Sequence, residues 1–191
     1  MPTLVANGGQ LGFRAAPFDL LGVDGRRHTL ESVRGRNGVL VMFICNHCPY
    51  VKAVIDRIVR DARDLEPFEI GSIAIMSNDP AEYPEDSFEN MKVFAAQHRF
   101  SFPYVIDETQ DIGRAYGAVC TPDFFGFNSR LELAYRGRLD ASGRSPVPGA
   151  QRELYDAMVE VARTGKGPGS EERRVGKECM VQCRSRWSPY H

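Results

Sequence analysis

Cys45 and Cys48, separated by Asn46 and His47, have the types and spacing that can do redox chemistry. They follow Val39-Leu40-Val41-Met42-Phe43-Ile44, a continuous apolar run of the kind that a strand buried on both faces requires. They precede Pro49, after which Val51, Val54, Ile55, Ile58, Val59, Ala62 and Leu65 recur at helical spacing. Lys52, Asp56, Arg57, Arg60, Asp61, Arg63 and Asp64 fill the other faces of that helix. The pair therefore sits where a buried strand passes into an amphipathic helix.

On a first helical turn, residues three apart share a face, and their Cα atoms can lie about 5.5 Å apart, within disulfide range. A sulfur at a helix N-terminus meets free N–H groups and the positive end of the macrodipole, which favour the thiolate. This placement predicts a lowered pKa for Cys45 and a nucleophilic role. Cys48, one turn further in, is suited to resolving a mixed disulfide. His47, with Asn46 as the other spacer, is the candidate tuning residue. An imidazolium beside Cys45 would stabilise the thiolate and make the disulfide more oxidising than that of an ordinary thioredoxin. The plainer reading of His47 is a solvated turn residue. Pro49 falls in the first turn, where a missing N–H costs least.

Zinc is the rival use of the pair, but a structural zinc site needs four ligands. Only Cys179 and Cys183 could complete it. A copper-carrying role for Cys45, Cys48 and a distant His is a further alternative. Elsewhere, Cys120 is either a small buried hydrophobe or a third thiol able to trap Cys45 or Cys48. Thr121-Pro122 is weak evidence alone, because X-Pro bonds are seldom cis. Asn78-Asp79-Pro80 reads as a capping turn, Lys52 as a solvated helix residue, and His28 and His98 as surface residues without partners.

The elements that must position these groups alternate. Strands are expected at 39–44 and 70–76, with a short one at 104–106. Helices are expected over 51–65, 87–98, 110–116 and 151–163. Phe124–Phe127 and Leu131–Tyr135 flank Asn128-Ser129-Arg130 as a hairpin. Thr29-Leu30-Glu31 reads as the start of a short strand or turn. Alternation at the front implies a parallel βαβ unit, and the hairpin adds antiparallel strands at one edge. The fold class is α/β, a mixed central sheet with helices on both faces.

With 191 residues, 42% hydrophobic and 26% charged, the chain can bury a proper core. Its formal net charge of -1 does not point to nucleic acid or an anionic membrane. No N-terminal secretory pattern and no membrane-spanning run is seen, so a cytoplasmic location is expected. The 5 cysteines are an odd number, which argues against a structural disulfide framework. The segment 167–191 lacks periodicity and reads as a disordered tail of adaptor or vector origin, or else a genuine basic tail. The domain is then 1–166.

Ala16-Pro17-Phe18-Asp19-Leu20, the 39–44 strand, Cys45-Asn46-His47-Cys48-Pro49-Tyr50, Thr121-Pro122-Asp123-Phe124 and Tyr135-Arg136-Gly137-Arg138-Leu139-Asp140 together resemble the thioredoxin-like redoxin family related to alkyl hydroperoxide reductase and thiol-specific antioxidant proteins. The resemblance covers about residues 13–166. It implies a thioredoxin-like fold, and a cis bond at Pro122 facing the Cys pair. That bond would expose an edge, partly supplied by Thr121, to an extended peptide. It also implies a disulfide-containing protein or a small thiol or peroxide as substrate, an external thiol reductant, and no organic cofactor or metal. Peroxiredoxins carry a Pro-x-x-x-Thr/Ser-x-x-Cys motif; here Val41 replaces the Pro and Cys45 the Thr/Ser. The expected activity is reversible dithiol/disulfide exchange, with peroxidase activity and a metal-binding or redox-sensing module without turnover as alternatives.

Overall fold

The computed structural model describes residues 10–168. Sequence-based readings of Cys179, Cys183 and the tail beyond 168 lie outside the described residues.

Seven strands form one mixed sheet: β1 (Asp19–Gly22), β2 (Arg27–Thr29), β3 (Gly38–Phe43), β4 (Ile70–Met76), β5 (Tyr104–Ile106), β6 (Asp123–Asn128) and β7 (Leu133–Gly137). Their order is β2-β1-β5-β4-β3-β6-β7. Strands β3, β4 and β5 are parallel, whereas β6 runs antiparallel to β3 and β7 to β6. A second antiparallel edge, β1 with β2 on one side and β5 on the other, was not expected. These strands are only 4 and 3 residues long, too short to display an alternating pattern.

The apolar run of β3 resolves into two faces. Leu40, Met42 and Ile44 enter one core, and Val39, Val41 and Phe43 enter the other. This is the period-two consequence of a strand covered on both sides. Helices α2 (Pro49–Leu65), α3 (Phe88–Gln97) and α5 (Glu153–Thr164) cover the first face. Helix α4 (Asp111–Tyr116) lies on the second, where Tyr116 meets Phe43, Phe125 and Phe127. The Thr29-Leu30-Glu31 segment divides: Thr29 ends β2 and, with Ser32, caps the short helix α1 (Leu30–Val33).

Helix α2 buries the seven apolar residues expected of it, and also Asp61. The expected solvated position is instead covered by α5, whose N-cap residue Arg152 donates to the Asp61 carboxylate at 2.9 Å. Burial raises the Asp61 pKa, and the Arg152 and Arg60 guanidinium groups oppose that shift. Where α5 packs on the sheet, a Cβ at Gly126 would come within 2.3 Å of the Met158 sulfur, so that side chain would have to shift. His28 and His98 are each within ion-pair distance of a carboxylate, Asp24 at 3.0 Å and Asp56 at 3.3 Å, so neither lacks a partner. Among the described residues, no helix is long and apolar enough to cross a membrane.

Helix α2 anchors the Cys segment to the sheet through side chains such as Ile55, which is 1% exposed. Ile55→Ala is expected to cost about 2–5 kcal/mol through lost burial and a residual cavity. Urea unfolding with an unchanged m-value checks this; a loss below about 1 kcal/mol would contradict the packing described.

Candidate active site

Cys45 follows the end of β3, and Cys48 is the N-cap of α2. Helix α2 begins at Pro49, so Cys45 precedes it and Cys48 caps it, rather than the two sharing its first turn. Pro49 is the cause. Its ring disfavours helical backbone at the preceding residue, and Cys48 is extended, with φ -62 and ψ 122. Pro49 itself takes the first helical position, where no N–H is missed.

Both cysteines are thiols, and both are buried. They meet at Thr121, just before β6. The Cys45 sulfur lies 3.3 Å from the Thr121 hydroxyl, and the Cys48 thiol donates to the Thr121 carbonyl at 3.4 Å. The Thr121–Pro122 bond is cis. Cys120 is fully buried, its sulfur 3.9 Å from the Pro122 carbonyl oxygen.

The organising group is one that the sequence pattern does not reveal, Asp86, on a short 3-10 turn (Pro84–Asp86) before α3. Its carboxylate is fully buried and accepts four hydrogen bonds. Oδ1 takes the Asn46 and His47 backbone amides at 2.8 and 3.2 Å. Oδ2 takes His47 Nδ1 at 2.6 Å and Asn78 Nδ2 at 2.8 Å. Asn78 is thus part of the site, while its neighbour Asp79 does cap the turn, accepting from the Ala81 amide at 2.9 Å. Asn46 is buried, donating to the Glu85 carbonyl at 3.0 Å and accepting from the Tyr104 hydroxyl at 2.9 Å. The His47 ring stacks on Tyr83, with centroids 4.7 Å apart and planes 6° from parallel.

The electrostatics differ from the sequence expectation. The Cys45 thiol is pushed well above the ordinary range by its hydrogen bond with Cys48, by burial, and by the Asp86 charge; Thr121 opposes this. His47 is not a lone cation directed at sulfur. Its hydrogen bond to Asp86 raises its pKa against the opposing effect of burial, and its charge is met by the carboxylate. For Asp86 burial acts upward, but the bonds from His47, Asn78 and Asn46 outweigh it and hold the carboxyl below its ordinary range.

Donor atoms of Cys45, His47 and Asp86 lie within 4.8 Å of one another, the spacing a metal ion could draw together. Each Asp86 oxygen already accepts two hydrogen bonds, however. A cation would have to displace them, so the geometry fits a hydrogen-bonded His–Asp pair better than a metal cage. Lys52 is exposed, as expected.

The His47–Asp86 pair links stability to pH with a definite sign. His47, with its pKa raised from 6.5, stabilises the fold below that value and loses the effect as pH rises through its folded pKa. Asp86, lowered from 3.8, stabilises above that value and loses the effect as pH falls through its folded pKa. The stability difference between wild type and His47→Gln should therefore be largest between 3.8 and 6.5 and shrink on either side. Denaturant midpoints across pH check this; a difference independent of pH would contradict the pairing.

A family model described as the AhpC/TSA family matches residues 11–139. No curated protein matches the chain. Among solved structures, an uncharacterized conserved protein from Geobacillus kaustophilus is 42% identical, covering 88% of this chain and 89% of that one, with a TM-score of 0.81. A hypothetical protein from Sinorhizobium meliloti 1021 is 31% identical, covering 96% and 97%, with a TM-score of 0.82. For the fold alone, a thiol:disulfide interchange protein of the thioredoxin family from Chlorobium tepidum TLS is 18% identical, covering 80% and 97%, with a TM-score of 0.59. With its mixed sheet, its helices on both faces and this family match over most of its length, the chain belongs to the AhpC/TSA family and has a thioredoxin-like fold.

Proposed function

We propose that this protein is a thiol–disulfide oxidoreductase that runs reversible dithiol/disulfide exchange through Cys45 and Cys48. The observation that carries the reading is the convergence of both thiols on one residue, Thr121, at the junction of the central strand and helix α2. Two thiols that meet at the same residue are placed for exchange of a disulfide between them. Membership of a family of redox enzymes supports the same chemistry.

In the proposed cycle the Cys45 sulfur attacks a substrate disulfide and Cys48 resolves the mixed disulfide. Asn46 and His47 hold the loop between them, while Thr121 and Pro122 form the edge along which a substrate chain lies. His47 and Pro122 are partly exposed and mark the approach to the buried sulfurs. The substrate is a disulfide-bearing protein or small molecule, and an external thiol system, in the cytoplasm, returns the electrons. Cys120 is kept outside the cycle as a buried thiol.

Equilibration with glutathione tests this. The Cys45–Cys48 disulfide is expected to form with a potential of roughly -120 to -270 mV, the span of known exchange enzymes, and Cys45→Ser should abolish it. Absence of a disulfide between the two residues would overturn the reading. Family membership favours one second reading, a thiol peroxidase. Rapid hydroperoxide consumption lost in Cys48→Ser would support it, whereas slow turnover leaves exchange as the activity.

A further inference from the structure

Resting on the exchange reading, we propose that His47 is the acid–base group of the reaction and that Asp86 is the positioning residue that holds it ready. The His47 Nδ1 edge is committed to Asp86 at 2.6 Å. The ring is held flat by Tyr83, and the preceding backbone is pinned by two amide bonds to the same carboxylate. Among the described residues Nε2 makes no hydrogen bond, so that edge remains for proton exchange. A donor atom of the half-buried ring lies within 4.8 Å of the Cys45 sulfur.

The site needs such a group because both sulfurs are buried and the Cys45 thiolate is disfavoured where it sits. A sulfur leaving into that space departs more readily when a proton meets it, and the Cys48 thiol must give one up before it can resolve. The sequence of steps balances. Cys45 loses its proton to solvent and bonds to one substrate sulfur; the substrate S–S bond breaks, and the departing sulfur takes a proton from the His47 imidazolium. Neutral His47 then removes the proton of Cys48. Cys48 bonds to Cys45, the mixed disulfide breaks, and the second substrate sulfur leaves as a thiolate that takes a proton from solvent. The cysteine pair has lost two electrons, the substrate disulfide has become two thiols, and His47 is again protonated.

The groups that act on His47 are Asp86 and Glu85 from the turn before α3 and Cys48 from its own loop. Tyr83 is stacked on the ring, and Cys45 faces it from the end of β3. Tyr104 acts at one remove, through Asn46.

The sign of one substitution separates this role from a simple field effect. If Asp86 acted on Cys45 only through its charge, Asp86→Asn would ease thiolate formation and speed the reaction. If it acts through His47, the same change slows it. The test is the rate of glutathione disulfide reduction by the full chain across pH, with the His47 ring followed by NMR titration. Asp86→Asn is expected to slow the reaction about 10²-fold near neutral pH and to lower the His47 titration midpoint. His47→Gln, at a half-exposed position, should give a similar loss, so the test does not depend on how well the buried Asp86→Asn variant folds. Unchanged or faster rates in the variants, with the wild-type disulfide still forming, would overturn the inference alone. Failure of the wild type to form the disulfide would overturn the exchange reading beneath it.

Discussion

A carboxylate taken fully out of water stays ionised only where protein donors replace its hydration. Asp86 meets that condition with four hydrogen bonds, and each donor it recruits is thereby fixed. Two are backbone amides of the segment between the thiols, one is the imidazole, and one is Asn78 at the end of β4. Through Asn46 the same network reaches Tyr104 on β5 and the Glu85 carbonyl. The conformation of the reactive loop therefore depends on a turn some 40 residues away in sequence. Removing the carboxylate would leave several buried donors unsatisfied together, which costs more than the loss of any one bond.

The sheet and α2 supply the remaining constraints. Antiparallel pairing of β3 with β6 sets Phe43 opposite Asp123. Carried past the strand ends, that register brings Thr121 across from Cys45, which is why one threonine touches both sulfurs. Pro49 sets where the helix begins, and so leaves Cys48 extended at its cap. Because the two faces of β3 are buried in separate cores, the strand cannot slip by one residue without exchanging every side chain between them. The position of Cys45 is fixed by the same alternation.

What was legible in the sequence follows from the range of each interaction. The buried strand and the α2 face are local patterns, and they read correctly from Val39–Ile44 and Val51–Leu65. The Cys45/Cys48 spacing marked the candidate site for the same reason. Asp86 left no comparable mark. It falls just before the helix expected over 87–98, in a stretch without periodicity, and its partners lie on two other segments. Tyr104 read as an apolar strand residue, although its hydroxyl closes the Asn46 network. Asp61 read as solvated because α2 alone cannot show that Arg152 covers it. The expected depression of the Cys45 pKa did not allow for its contact with Cys48, its burial and the Asp86 charge, which depend on the folded neighbourhood.

Two facts, the placement of Cys45 ahead of α2 and the pairing of His47 with Asp86, change how the site can work. A thiol at the helix terminus with a lone imidazolium beside it would be activated by a standing field. Here Cys45 lies ahead of the helix, and the imidazolium is matched by a carboxylate, so the sulfur faces a dipole rather than a net positive charge. The potential of a dipole falls with distance faster than that of a charge, and the carboxylate side of this one works against the thiolate. Standing electrostatics thus disfavour the Cys45 thiolate. Reactivity in such a site must come from moving a proton when a substrate sulfur arrives, and His47 is the group held in position to move it.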